Sequence, residues 1–168
     1  MALLDGEDQQ LRRIQEKLTL LRQLLQARDL DPENHDPHEW YRIASIIKRA
    51  LGNFDNDVSF IAALLAKQFL TEHHHIPLLD VSAKAQGAPG LDFDVRSHNG
   101  DRIIAELKTT IPYGQNDLGA KQRETFLHDF DKLRNTPADF KYFFVTDPRT
   151  YDVVDRRYRS YLDGIQLQ

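Results

Sequence analysis

Four ionisable side chains in one short stretch have the types and spacing for chemistry on a phosphodiester. Asp92 and Asp94 stand in Leu91-Asp92-Phe93-Asp94-Val95, and Glu106 and Lys108 in Ile103-Ile104-Ala105-Glu106-Leu107-Lys108. Both runs alternate apolar and polar residues, the period of a half-buried β-strand. Glu106 and Lys108 therefore share one face, with Leu107 on the other. Acids and a lysine converging on one sheet face are what metal-dependent hydrolysis of a phosphodiester requires, because a hard divalent ion takes carboxylate oxygens and an ammonium stabilises the developing charge.

The two runs must form a hairpin for these groups to meet. Between them lies Arg96-Ser97-His98-Asn99-Gly100-Asp101, whose Asn-Gly step is a strong turn signal. A two-residue Asn99-Gly100 turn would set Glu106 opposite Phe93 and put both aspartates on the Leu107 face. A three-residue loop, His98-Asn99-Gly100, sets Glu106 opposite Asp92, with Cβ atoms about 5 Å apart, and places glycine where the left-handed conformation is needed. The second register is expected, with Asp92 the principal metal-binding aspartate. Asp94, facing Ile104, would be a supporting or second-metal ligand.

The rest of the chain is read as what holds this hairpin. Its 168 residues, 40% hydrophobic and 29% charged, fit a soluble globular protein large enough to bury a core. The absence of cysteine excludes disulfides and thiolate metal sites. The N-terminal residues lack a basic segment followed by an apolar run, and no run reaches membrane-spanning length, so a cytoplasmic location without a membrane partner is expected. The net charge of −4 argues against a passive nucleic-acid coat but not against a nuclease, whose acids cluster at its metal site.

Residues 8–28 predict a helix, with Leu11, Ile14, Leu18, Leu21 and Leu25 forming an a/d seam of barely two heptads. The seam suits packing within its own domain or pairing with a second chain or partner subunit. Residues 28–37 carry two Asp-Pro steps and read as a linker. His38–Leu51 predicts a second helix closed by Gly52. Asp57 is expected to cap a third, Val58 to about Thr71, apolar over most of its circumference and so central and buried. His73-His74-His75 reads as a solvated helix end rather than a metal site, since three adjacent histidines cannot face one ion from a regular element. Ile76–Ala83 reads as a strand. After the hairpin come the loop Ile111–Gly119, a helix from Ala120 to Asn135, a strongly apolar strand from Phe140, and a last helix from Tyr151 to Leu162. This order predicts an α/β fold, a mixed central sheet flanked by helices, spanning residues 57–168 behind an N-terminal helical region, residues 1–56.

The hairpin resembles the PD-(D/E)xK nuclease superfamily, which includes many type II restriction endonucleases. The matching residues are Pro89-Gly90-Leu91-Asp92-Phe93-Asp94-Val95 and Glu106-Leu107-Lys108-Thr109-Thr110, with a helix before them and a helix and apolar strand after. The likeness covers roughly residues 57–147. It departs from the pattern in that the aspartate does not directly follow the proline. Gln122-x-x-x-Phe126 is similar to the Gln-x-x-x-Tyr element of an exonuclease branch, but phenylalanine replaces tyrosine and the match is read as chance. The resemblance implies a restriction-endonuclease-like core, Mg²⁺ (with Mn²⁺ able to substitute) on Asp92, Glu106 and the Ala105 carbonyl, Lys108 at the reacting phosphate, and 5′-phosphate products.

It also implies a duplex-DNA endonuclease of restriction type, acting as a homodimer. Two alternatives stand beside it: a structure-selective nuclease or nuclease module of a larger complex, and an inactive relative serving as a DNA-binding or assembly domain. Lys84, Arg96, Lys121, Arg123 and the cluster Arg156–Arg159 are candidate phosphate contacts, and Gln115 and Asn116 candidate readers of adenine edges.

Overall fold

The computed structural model describes residues 2–26, 36–84, 88–114 and 117–168. The chain divides into two compact units, Ala2–Asp57 and Val58–Gln168. No helix among the described residues is long and apolar enough to cross a membrane.

The first unit is helical. Helix α1 runs Asp5–Gln26, with Asp5, Glu7 and Asp8 in its first turn, where acids favour the positive helix end. Helix α2, Pro37–Leu51, starts on Asp36, whose side chain accepts from the His38 N–H, with Pro37 in the first turn. Gly52 ends it at φ +57°. The leucine seam is only partly covered: Ile14 is buried, but Leu18 and Leu25 are 46% and 61% exposed. Most of the residue 28–37 linker falls outside the described residues. Asp57 does not cap a helix. Helix α3 begins earlier and runs Phe54–His74, which leaves Asp57 within its first turn, buried and 2.7 Å from Lys17 Nζ.

The second unit is a mixed four-stranded sheet between helices. Strands β1 (Phe93–Arg96), β2 (Arg102–Lys108), β3 (Phe140–Val145) and β4 (Gln166–Leu167) lie in that order. β1 is antiparallel to β2, while β2, β3 and β4 are parallel. Helix α4, Ala120–Asn135, joins β2 to β3, and α5, Pro148–Arg157, with the 3-10 turn Arg159–Tyr161, joins β3 to β4. Parallel neighbours need such crossovers.

The two faces of the sheet have separate cores. On one, Ile104 and Phe143 pack with Phe126, Phe130 and Leu133 of α4 and Val153 and Val154 of α5. On the other, Phe93, Ile103, Ala105, Tyr142 and Phe144 pack with Ala66 and Leu70 of α3. Alternation along β2 fixes the outcome for the charged pair. Glu106 and Lys108 continue the line of Ile104 and emerge on the α4 face.

Three expectations need correction. Ile76–Ala83 is irregular rather than a strand. Its Asp80 carboxylate accepts from the Ser82 N–H at 2.8 Å and from the Ser82 hydroxyl at 2.6 Å, a local turn that competes with strand pairing. Helix α3 is not buried all round: Leu70 is fully covered, but Leu65 is 60% exposed, because a helix on one sheet face covers only the stripe it turns inward. The last helix starts at Pro148, where Asp147 accepts from the Thr150 N–H, and gives way to the 3-10 turn and the short edge strand β4.

Candidate functional site

The hairpin register places the acids. Phe93 pairs with Ala105, Asp94 with Ile104, Val95 with Ile103 and Arg96 with Arg102. One step further, Asp92 stands opposite Glu106. The loop that sets this register is His98-Asn99-Gly100. The Ser97 N–H donates to Asp101 O at 3.0 Å and the Gly100 N–H to Ser97 O at 3.1 Å. Gly100 adopts φ +90°, and Ser97 Oγ accepts from the N–H groups of Asn99 and Asp101.

Asp92 and Asp94 then take different partners. Asp92 Oδ2 accepts from the Leu107 N–H at 2.8 Å, which holds the carboxylate at the end of β2. Asp94 is gripped by Arg102, with Nε at 2.9 Å from one oxygen and Nη2 at 2.7 Å from the other. The Arg102 hydrogen bonds hold the Asp94 carboxyl below the ordinary carboxylate range.

Glu106 is the buried centre, 2% exposed. Burial pushes its pKa up to about 7; Lys132 pulls it down, and the carboxylates of Asp92 and Asp129 push it up again. Desolvation and neighbouring negative charge both disfavour the ionised form. Ala105 is fully buried beside it.

Helix α4 supplies two groups that the sequence reading did not select. Asp129 Oδ2 lies 2.5 Å from Lys108 Nζ. Lys132 Nζ lies 2.6 Å from Glu106 Oε1 and 3.4 Å from Asp129 Oδ1, and donates to the Gly90 carbonyl at 3.0 Å. A signal for Asp129 existed. Phe126, Asp129, Phe130 and Leu133 follow the i, i+3, i+4, i+7 spacing of one helix face, so an acid sits on a stripe that is otherwise core.

The donor set suits a hard divalent ion. Glu106 Oε1 and Asp129 Oδ2 are buried and have no aligned hydrogen bond, although an ammonium stands close to each. Asp92, just before β1, and Glu106 of β2 offer neighbouring carboxyl groups. Among the described residues no three His, Cys, Asp or Glu side chains form a metal-chelating group.

The histidine run is a helix end. His73 Nδ1 lies 2.8 Å from Phe69 O, and His74 Nε2 lies 2.7 Å from the Tyr142 hydroxyl. His75, at φ +50°, ends α3. Desolvation lowers the His74 pKa, reinforced by His73.

The candidate phosphate contacts are mostly paired. Lys84 donates to the Leu91 carbonyl, beside Asp92. Lys121 pairs with Glu124 and Arg157 with Asp117. Arg96 donates to Gly100 O, Arg156 pairs with Asp152, and Arg159 with Asp155. The Arg123 N–H donates to Gly119 O in the first turn of α4. Gln115 and Asn116 lie outside the described residues. Gln122 bonds the described residues on either side of them: its Nε2 donates to Ile111 O at 2.8 Å, and its Oε1 accepts from Gly119 N at 2.9 Å and Tyr113 N at 3.3 Å. Tyr113, one of the residues so bonded, is 86% exposed.

Comparisons with protein-family models, with curated proteins and with solved structures return no match.

Proposed function

We propose that this chain is a Mg²⁺-dependent deoxyribonuclease. The observation that carries the reading is that Asp92 interacts with the buried Glu106 at the end of β2, with Lys108 two residues on along the same face of the strand and held by Asp129. Asp92 and Glu106 would hold the ion, with the Ala105 carbonyl beside them, and Mn²⁺ would substitute for Mg²⁺. The two oxygens of Asp94 are engaged by Arg102, which suits a supporting role rather than direct ligation.

When bound, the ion supplies Lewis-acid polarisation of the phosphoryl group and a lowered pKa for coordinated water. The chain's own residues do the rest. Asp92, fixed by the Leu107 N–H, and Glu106, fixed by burial, hold two carboxylates in preset positions. Lys108 orients the attacking water and donates from Nζ to the phosphate oxygen on which charge develops. Asp129 positions that ammonium in a largely covered site. The loop held by Gln122 follows directly from the strand carrying Lys108 and offers Tyr113 to a nucleic acid.

The substrate in this reading is duplex DNA, cut at a defined sequence by a homodimer with one such site per strand. Incubation with Mg²⁺ and mixed plasmids tests it. Discrete bands are expected. A smear, or cleavage of branched DNA only, would indicate a structure-selective nuclease instead, and no cleavage would remove the enzymatic reading.

A further inference from the structure

Lys132 is a charged group at this site that the mechanism above leaves without a task. Its ammonium is not a loose surface charge. It lies 2.6 Å from Glu106 Oε1 and 3.4 Å from Asp129 Oδ1, and donates to Gly90 O at 3.0 Å. The three oxygens come from β2, from α4 and from the turn before β1. Gly90 reaches φ +99° in that turn, a conformation that only glycine adopts freely. A cation held among carboxylate and carbonyl oxygens from separate elements occupies the kind of environment a hard divalent ion prefers.

We propose that Lys132 is a resident counter-cation, which a divalent ion must displace from Glu106 in order to bind. This inference rests on the metal-dependent reading of the site. Its physical basis is exclusion. An ammonium at 2.6 Å from a carboxylate oxygen and a divalent cation on that same oxygen repel each other at contact distance. Lysine suits the exchange, since its point charge rides on a flexible four-carbon stem, and its side chain is already 27% exposed. Before the ion arrives, Lys132 compensates a buried carboxylate that would otherwise be left uncompensated at high cost. After displacement the ammonium stands free beside the Gly90 turn, where a phosphate is its natural counter-ion. Metal binding and DNA binding are then reciprocally coupled, each making the other more favourable.

The test is Mn²⁺ binding to the full chain without DNA at pH 8, read from the paramagnetic resonance of the free ion. Wild type, Lys132→Met and Glu106→Gln are compared. Lys132→Met is expected to bind Mn²⁺ about tenfold or more tightly than wild type, the worth of a charge-assisted contact, and Glu106→Gln to lose binding. Equal or weaker binding by a folded Lys132→Met, with wild type still binding through Glu106, overturns the counter-cation and leaves the metal site standing. No binding by either protein overturns the metal-dependent reading and this inference together. A second measurement uses wild type alone, in case the variant does not fold. Acetylation of Lys132, followed by peptide mass, is expected to be several-fold faster with Mg²⁺ than with chelator. An unchanged rate overturns the displacement.

Discussion

The Lys108 ammonium of β2 lies 2.5 Å from Oδ2 of Asp129 on α4. Both side chains are largely covered, at 17% and 6% exposure, so the pair is not a surface ornament. It fixes the lysine of the strand motif from a helix that follows it in sequence, and it ties α4 to the sheet where the hydrophobic core ends.

Asp129→Ala is therefore expected to act twice. Removing one partner of a buried ion pair strands the other and costs about 3–5 kcal/mol, seen as a lower denaturation midpoint. Cleavage should also fall, by about 10²-fold, because Lys108 loses its fixed position. Asp129→Asn, which keeps the shape, should recover most of the stability and less of the rate. A variant with full activity and lowered stability would make Asp129 purely structural.

Asp92→Asn is expected to lose Mg²⁺-dependent cleavage more completely than Asp94→Asn. Asp92 faces Glu106, whereas Asp94 is held by Arg102. The Asp94–Arg102 pair is partly exposed, so its loss should cost no more than about 1 kcal/mol. Parallel cleavage assays and melts of the two variants check the order; the reverse order of activities would refute the assignment.

Glu106 gives a pH signature. Its folded pKa is raised to about 7, above the unfolded value. Its contribution to stability is thus fully present below the ordinary carboxyl pKa and is lost as pH rises through about 7 in metal-free protein. Glu106→Gln, a permanent neutral mimic, should raise the melting temperature at pH 8 and leave it unchanged near pH 4. The ceiling on this gain is about 3 kcal/mol. Mg²⁺ should stabilise wild type increasingly as pH rises from 6 to 8, since proton and metal compete for the same carboxylate. A melting profile with no difference between the two proteins at any pH would contradict the burial argument.

Gln122→Ala should free the loop between β2 and α4. Two backbone N–H groups and one carbonyl lose their partner, each bond being worth about 1 kcal/mol. Hydrogen exchange at Tyr113 and Gly119 is expected to accelerate at least several-fold with the sheet amides unchanged. Unchanged exchange at these two amides would mean that other contacts hold the loop.

How much of this was legible in the sequence depended on whether local rules decided the outcome. The hairpin register followed from a single argument. Only a three-residue loop puts glycine in the left-handed position and the acids on the same face, and the strands pair that way. Helix α4 followed from its apolar stripe and from Pro137. Ile76–Ala83 misled because alternation alone was read, while Asp80 and Ser82 offered the backbone a competing turn. Strand β4 is two residues long, and nothing local marks it; it forms only because β3 presents a free edge. Nothing local marks Asp129 and Lys132 as site residues, because their roles arise from packing across the sheet. Their distance in sequence from the Glu-x-Lys strand hides what the α4 crossover brings together. The whole-circumference apolarity of α3 overstated its burial, since Leu65 needed no cover for the sheet face to be filled.

The proposed metal-dependent nuclease site turns on Glu106, set opposite Asp92. The most direct measurement is digestion of supercoiled plasmid by wild type and Glu106→Gln in parallel, each with Mg²⁺ and with chelator. Nicked or linear products are expected from wild type with Mg²⁺ alone, and none from Glu106→Gln, which remains folded. Equal cleavage by the two proteins, or cleavage by wild type in chelator, would contradict the proposal.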